Sequence, residues 1–364
     1  MSIIRANPIA RLTLRLPGPV TATVPSASLY SDRFMNLDQT KKKIEKIKLV
    51  VSDQSQAKEK IKAEYSTNGI KNIFNEEIYR MLLISNTSED MEFCRKVLTA
   101  QLQDSLHSLD YPSLSYKYQL FFDLCHINNL PQVAIKCWNQ PEVRAFLPSL
   151  RNRKWIIKPF FDLLFENQLY RELLEEFGRE TEYYSNTPGQ CPLVLASLAH
   201  YRIGSRDSLE ELIKLIPLVE RSRLSKSRVL KAASLLAYNL GELAVAHSVL
   251  ARQMRTRVQE RRKFSPFADS LNIKLLIATG KLEEAVTLFR VHFLPTCPQD
   301  RLSVHYCLVR DLLAAVKKED GNLCREVMEM VLIIENSDQV FLNNHTLEDE
   351  LFGTIDVVRK DKGK

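Results

Sequence analysis

Residues 269–293 read DSLNIKLLIATGKLEEAVTLFRVHF, and this stretch decides the fold of the 364-residue chain. Apolar residues recur at helical spacing as far as Ala278, the chain turns at Thr279-Gly280, and a second apolar segment starts at Leu282. Glycine at a helix end supplies the left-handed residue that stops it. Because the next helix begins at once, the two must lie antiparallel and adjacent. The pattern recurs with turns at Asn129, Asn167, Gly204, Gly241, Gly280 and Gly321, separated by 38, 37, 37, 39 and 41 residues. Periods of this size signify stacked helical hairpins. One hairpin cannot bury its own apolar face, whereas a stack buries a continuous core and leaves a long inner surface for an extended ligand.

Working outward, an earlier hairpin is expected around Asn86-Thr87-Ser88, where Glu89 and Asp90 favour a new helix N-terminus. Ala134, Ala246 and Ala285 each fall five positions after a turn residue, where two helices of a hairpin need close approach. The organisation read from the chain is a basic leader over 1–30, a lysine-rich helix or linker over 31–72, a helical stack over 73–345 and a polar tail over 346–364. In the lysine-rich part, Lys41–Lys48 with Ile44 and Ile47 form one exposed amphipathic helix. In the tail, Leu347, Leu351 and Phe352 are placed to cap the last hairpin.

Composition agrees with a helical repeat. Ten glycines and fifteen prolines punctuate the chain sparsely, and 45% hydrophobic residues suffice for a core. No apolar run reaches the length of a membrane span. The first carboxylate is Asp32, while Arg5, Arg11 and Arg15 precede it; a basic, acid-free, potentially amphipathic start reads as a mitochondrial presequence. Its removal near Tyr30 would lower the formal charge from +7 to +4. The seven cysteines include no CxxC and read as reduced and mostly buried. His292, Cys297, His305 and Cys307 lie close in sequence, but their spacing matches no zinc pattern, so no metal and no cofactor are expected.

Gly280-Lys281-Leu282-Glu283-Glu284-Ala285-Val286-Thr287-Leu288-Phe289 resembles the turn and second helix of a pentatricopeptide repeat, and Gly241 to Leu250, running on to Met254, is similar. The tetratricopeptide class requires a strict spacing of about 34 residues and is not matched. The resemblance extends over roughly residues 70–290 and implies a right-handed α-α superhelix of six to seven degenerate hairpins. It also implies a mitochondrial matrix protein that binds single-stranded RNA and assists maturation of mitochondrial transcripts without being a nuclease. Partners implied are that RNA, a processing nuclease or mitoribosomal proteins. A protein–protein scaffold, such as a mitoribosomal subunit or assembly factor, is the alternative.

In the family pattern, the base-facing position lies ten residues before the turn. That count reaches Gln119, Ile157, Lys231 and Ser270. Gln119 and Ser270 suit a base edge, Lys231 suits a phosphate, and Ile157 suits neither. Charge clusters are read independently of the family. Arg221, Arg223, Lys226, Arg228 and Lys231 lie within eleven acid-free residues, and Arg252, Arg255, Arg257, Arg261, Arg262 and Lys263 lie within twelve that hold one acid, Glu260. Arg144, Arg151, Arg153, Lys154 and Lys158 form a looser third group. Clustered cations of this kind meet backbone phosphates. No P-loop, GxGxxG or HExxH occurs, and adjacent pairs such as Glu175-Glu176 face different directions around a helix, so no catalytic site is expected.

Overall fold

The computed structural model describes residues 29–70, 74–105, 111–150, 153–183, 190–219, 223–259, 266–294, 302–318, 321–337, 340–343 and 345–353. These form nineteen α-helices, one 3-10 turn (Leu147–Ser149) and one short parallel ribbon. The leader over 1–28 lies outside the described residues.

Helices α1 (Asp32–Met35), α2 (Leu37–Val50) and α3 (Gln54–Asn68) occupy the lysine-rich segment. The predicted exposed helix is α2, but it is anchored. Leu37 and Thr40 are buried, and Ile44 and Ile47 pack on the core. The early hairpin is α4 (Asn75–Ile84) with α5 (Ser88–Ser105), and Thr87 Oγ1 accepts from the Asp90 amide as an N-cap. Six further pairs follow. They are α6 (Tyr111–Ile127) with α7 (Pro131–Trp138), α9 (Arg153–Glu166) with α10 (Tyr170–Tyr183), and α11 (Gln190–Ile203) with α12 (Arg206–Val219). Then come α13 (Arg223–Asn239) with α14 (Leu243–Gln259), α15 (Pro266–Ala278) with α16 (Leu282–Phe293), and α17 (Tyr306–Val316) with α18 (Gly321–Glu335). A short α8 (Pro141–Phe146) is inserted after α7.

Four of the turns share one hydrogen-bond pattern. The amides of Leu130, Leu169, Glu242 and Lys281 each donate to a carbonyl five residues back, at 2.8–2.9 Å. The amides one residue earlier donate to the carbonyl three back. This is the Schellman termination, which requires a left-handed residue. That residue is Asn129, Gln168, Gly241 or Gly280, with φ of 53°, 60°, 76° and 73°. Gly204 is also left-handed but makes a single bond from its amide to His200 O. The expected turn at Asn167 is therefore shifted by one residue. Gly321 ends no helix; it is the first residue of α18.

The register correction explains the close-approach position. Five residues after the left-handed residues stand Ala134, Leu173, Ala246 and Ala285, all fully buried. Leu282 is buried beside Ala285, but Leu288 is only partly so, and Val286 and Phe289 take the inner positions.

The first helices of the pairs form a row, in which α6 packs on α9, α9 on α11, α11 on α13, α13 on α15 and α15 on α17. Each second helix packs on its own partner. One core runs from Leu29 to Leu275, with Phe121, Phe122, Phe160 and Phe161 fully buried and Trp138 stacked on Phe160 at 4.3 Å. A second, from Ile273 to Ile334, serves the last pairs. The six described cysteines are unbridged, and four of them are buried. No helix among the described residues is long and apolar enough to cross a membrane.

Both ends of the described chain fold back onto the row. At one end, α1 packs on α9 and α2 on α6. At the other, β1 (Leu302–His305) pairs in parallel with β2 (Val340–Asn343), and α19 (Leu347–Phe352) then lands on α13 and α15. Leu347 and Leu351 join the first core and not the core of the last hairpin, which corrects their expected capping role. The reason is spatial: β2 pairs with β1, which itself packs on α15, so the chain is already beside that helix when α19 begins.

Candidate nucleic-acid interface

A cleft of about 410 Å³ opens between α2, α6 and the start of α9. Its walls include Asn36 just before α2, Gln39, Thr40 and Lys43 from α2, Tyr116, Gln119 and Asp123 from α6, and Trp155 from α9. Gln119 and Asp123 are four apart on α6, which sets an amide and a carboxyl on one helix face. Two aromatic rings are attended by cations. Lys43 Nζ stands 4.7 Å from the centroid of Tyr116, and Lys158 and Lys154 stand 4.7 and 5.5 Å from that of Trp155. Burial lowers the Lys158 pKa.

Asp123 is 2% exposed. Its Oδ2 accepts from Thr40 Oγ1 at 2.8 Å, while Oδ1 has no hydrogen-bond partner. Burial pushes the carboxyl up to about 7, opposed by the Thr40 hydrogen bond and by His126 and Lys43. One turn further along α6, His126 Nε2 lies 3.0 Å from Asp162 Oδ2 and 3.5 Å from Glu166 Oε2. Burial would lower the His126 pKa. The hydrogen bond to Asp162, with the charges of Asp162, Glu166 and Asp32, outweighs burial and raises it. Asp162 and Glu166 share a face of α9, so this triad is the one potential metal-binding grouping among the described residues.

The predicted base-facing residues divide. Gln119 faces the cleft. Ser270 is fully buried, so in this arrangement its hydroxyl meets no solvent. Ile157 is buried. Lys231 is paired with Glu350 of α19 at 3.1 Å and sits 4.8 Å from the Phe267 ring.

The basic clusters are placed by the α13/α14 hairpin. Arg223, Lys226 and Arg228 open α13, while Arg252, Arg255 and Arg257 lie towards the end of α14. The antiparallel pair therefore carries both groups to the end opposite the Gly241 turn. Arg252 and Arg255 are exposed. Arg228 donates to Gly353 O at 2.6 Å, and burial lowers its pKa. Arg221, Arg261, Arg262 and Lys263 lie outside the described residues. In the third group, Arg144 pairs with Glu176 and Arg153 with Glu180, leaving Lys154 and Lys158 on Trp155.

The sequence reading set Leu347, Leu351 and Phe352 on the last hairpin and so missed that α19 packs on α13 and α15. Glu350 meets Lys231 and lies 2.8 Å from His305 Nε2, Glu348 meets Arg202 at 3.0 Å, and Phe352 stacks near Phe165 and under Arg202. Burial alone would raise the Glu350 carboxyl, but His305 and Lys231 hold it below its usual range. The signal available was the acid run Glu348-Asp349-Glu350 between Leu347 and Leu351. No family model, curated protein or solved structure matches this chain.

Proposed function

We propose that this chain is a non-catalytic RNA-binding protein of the mitochondrial matrix, a pentatricopeptide-type right-handed superhelix that holds single-stranded transcripts during maturation. The observation carrying the reading is the cleft beside Gln119, where Lys43 attends Tyr116 and Lys154 and Lys158 attend Trp155. Unpaired bases stack on aromatic faces while nearby cations track the phosphates, a sequence-tolerant mode worth roughly 1–3 kcal/mol per stacked base. The row of first helices and the repeated Schellman turns support the superhelix. The acid-free presequence reading supports the compartment.

The test is fluorescence anisotropy of the full chain with a labelled twelve-nucleotide single strand at two salt concentrations. Trp155→Ala should weaken binding about tenfold or more at both salts. Charge reversal of Arg255, Arg257, Arg261, Arg262 and Lys263 should weaken all sequences alike and flatten the salt slope. An unaltered affinity in both variants removes the proposal.

One observation favours the scaffold alternative. Arg202 and Lys231 already pair with acids of α19, and Arg228 with the Gly353 carbonyl that follows it. A face that accepts α19 has the chemistry to accept an acidic peptide from a partner such as a mitoribosomal protein. Co-sedimentation with ribosomal subunits, unaffected by ribonuclease, would favour it.

A further inference from the structure

The cleft between α2 and α6 combines three chemical demands that narrow its ligand. At its wall stands Asp123, nearly fully buried, with Thr40 on one carboxyl oxygen and nothing on the other. An acceptor left without a donor in a buried site costs free energy, and a ligand N–H can recover it. The aromatic walls, Tyr116 and Trp155, favour a planar ring. The cations Lys43, Lys154 and Lys158 favour an anion close to that ring.

We infer that this cleft is a guanine-selective pocket for one base of a single-stranded RNA, with Asp123 as the specificity-determining acceptor. The inference rests on the RNA-binding reading above and names the base that one position of it takes. Of the four bases, only guanine presents two neighbouring donors, N1–H and N2–H, on its Watson–Crick edge, the edge read in unpaired RNA. The Asp123 carboxylate accepts one of them on the unpartnered Oδ1 and the other on the second lone pair of Oδ2, beside the Thr40 hydroxyl. Guanine O6, beside them, takes a donor, and the Gln119 amide four residues away on the same face is of the right kind. Uracil brings one donor flanked by two carbonyls, which a carboxylate repels. Adenine and cytosine bring one amino donor beside a ring-nitrogen acceptor. A guanidinium from a partner protein would satisfy Asp123 equally, but three lysines repel it and attract a phosphate. The buried carboxyl, held up at about 7 by burial, ionises to receive the donors, with Thr40 and Lys43 from α2 and His126 from α6 its nearest polar and charged neighbours. Recognition therefore strengthens as pH rises through neutrality.

The experiment titrates the full chain with a ten-nucleotide RNA of alternating cytosine and adenine, and with versions carrying one guanine or one uracil at the centre. Binding is followed by anisotropy and by emission of Trp155, with Trp155→Phe as the optical control. The guanine strand should bind about tenfold more tightly than the others, the scale of one bidentate base contact. Asp123→Asn should erase that preference, so that the guanine strand binds no more tightly than the cytosine–adenine strand, and Gln119→Ala should reduce it. The guanine advantage should grow from pH 6 to pH 8 in the wild type and stay flat in Asp123→Asn. Should Asp123→Asn fail to fold, Gln119→Ala and the wild-type pH series decide. Equal, salt-sensitive binding of all strands overturns the guanine pocket and leaves RNA binding standing. No binding of any strand overturns both. Displacement by an arginine-rich peptide, with no strand preference, overturns the pocket in favour of a protein ligand.

Discussion

Lys231 and Glu350 meet at 3.1 Å across 119 residues of sequence, one on a first helix of the row and the other on the helix that closes over it. The contact consumes a cation that the sequence offered to a phosphate. Glu348→Gln with Glu350→Gln keeps the shape of α19 and removes its charges. RNA affinity should rise and the salt slope steepen by up to about 2, as Arg202 and Lys231 become available for phosphates. Anisotropy at several salt concentrations reads both. An unaltered slope would mean that neither cation lies on the RNA path.

The same helix can be tested for its structural share. Leu351 is fully buried in the first core, so Leu351→Ala should cost about 2–5 kcal/mol. The loss should appear as a lower urea midpoint. A surface value within about 0.5 kcal/mol would contradict the docking of α19.

Ala285 tests the hairpin seam. It is fully buried between α15 and α16, five residues after the left-handed Gly280. Ala285→Arg places a charge with no partner there and should cost several kcal/mol, whereas Glu284→Arg, on the exposed face next to it, should change little. Thermal melts of the two variants make the comparison.

Gln168 carries φ of 60° in a termination that glycine performs at Gly241 and Gly280. A side chain in the left-handed region costs about 1 kcal/mol. Gln168→Gly should therefore raise stability by up to about 1 kcal/mol, and Gly280→Ala should lower it by a similar amount. Denaturant midpoints at constant m-value are the readout.

Stability should fall as pH rises from 5 to 8. Asp123 is raised to about 7, so the folded state keeps a proton that the unfolded chain has released, and its contribution is lost between pH 4 and 7. His126 is raised above its ordinary value by Asp162 and Glu166, against burial, so its contribution is present below pH 6.5 and is lost above it. The two act in the same direction. Asp123→Asn should remove the acidic part of the slope and His126→Gln the neutral part, as measured by unfolding at fixed pH steps.

Much of the hairpin order was legible because helix ends are local chemistry. Glycine and asparagine at turns, and alanine five residues on, need no knowledge of distant residues. The second turn was misplaced because Asn167, the better left-handed residue, spends its side chain elsewhere. Its Nδ2 donates to Leu163 O and to Asn129 Oδ1, which links two successive turns, and Gln168 takes the unfavourable backbone. Counting from turns reached Gln119, which lines the cleft, and also Ser270, which lies on a helix covered by α14, α16, α17 and α19. Neither Asp123 nor Trp155 could be selected from spacing alone. Thr40 is 83 residues from Asp123, and only the docking of α2 makes them neighbours.

The return of α19 to α13 and α15 also sets an order in time. These helices end at residues 239 and 278, yet the hydrophobic seat of Leu347 and Leu351 is filled only when the chain has been made as far as residue 352. Until α19 docks, the seat on α13 stays open, and the folding chain presents an apolar strip flanked by Arg228 and Lys231. The last helix to arrive is therefore the one that covers it.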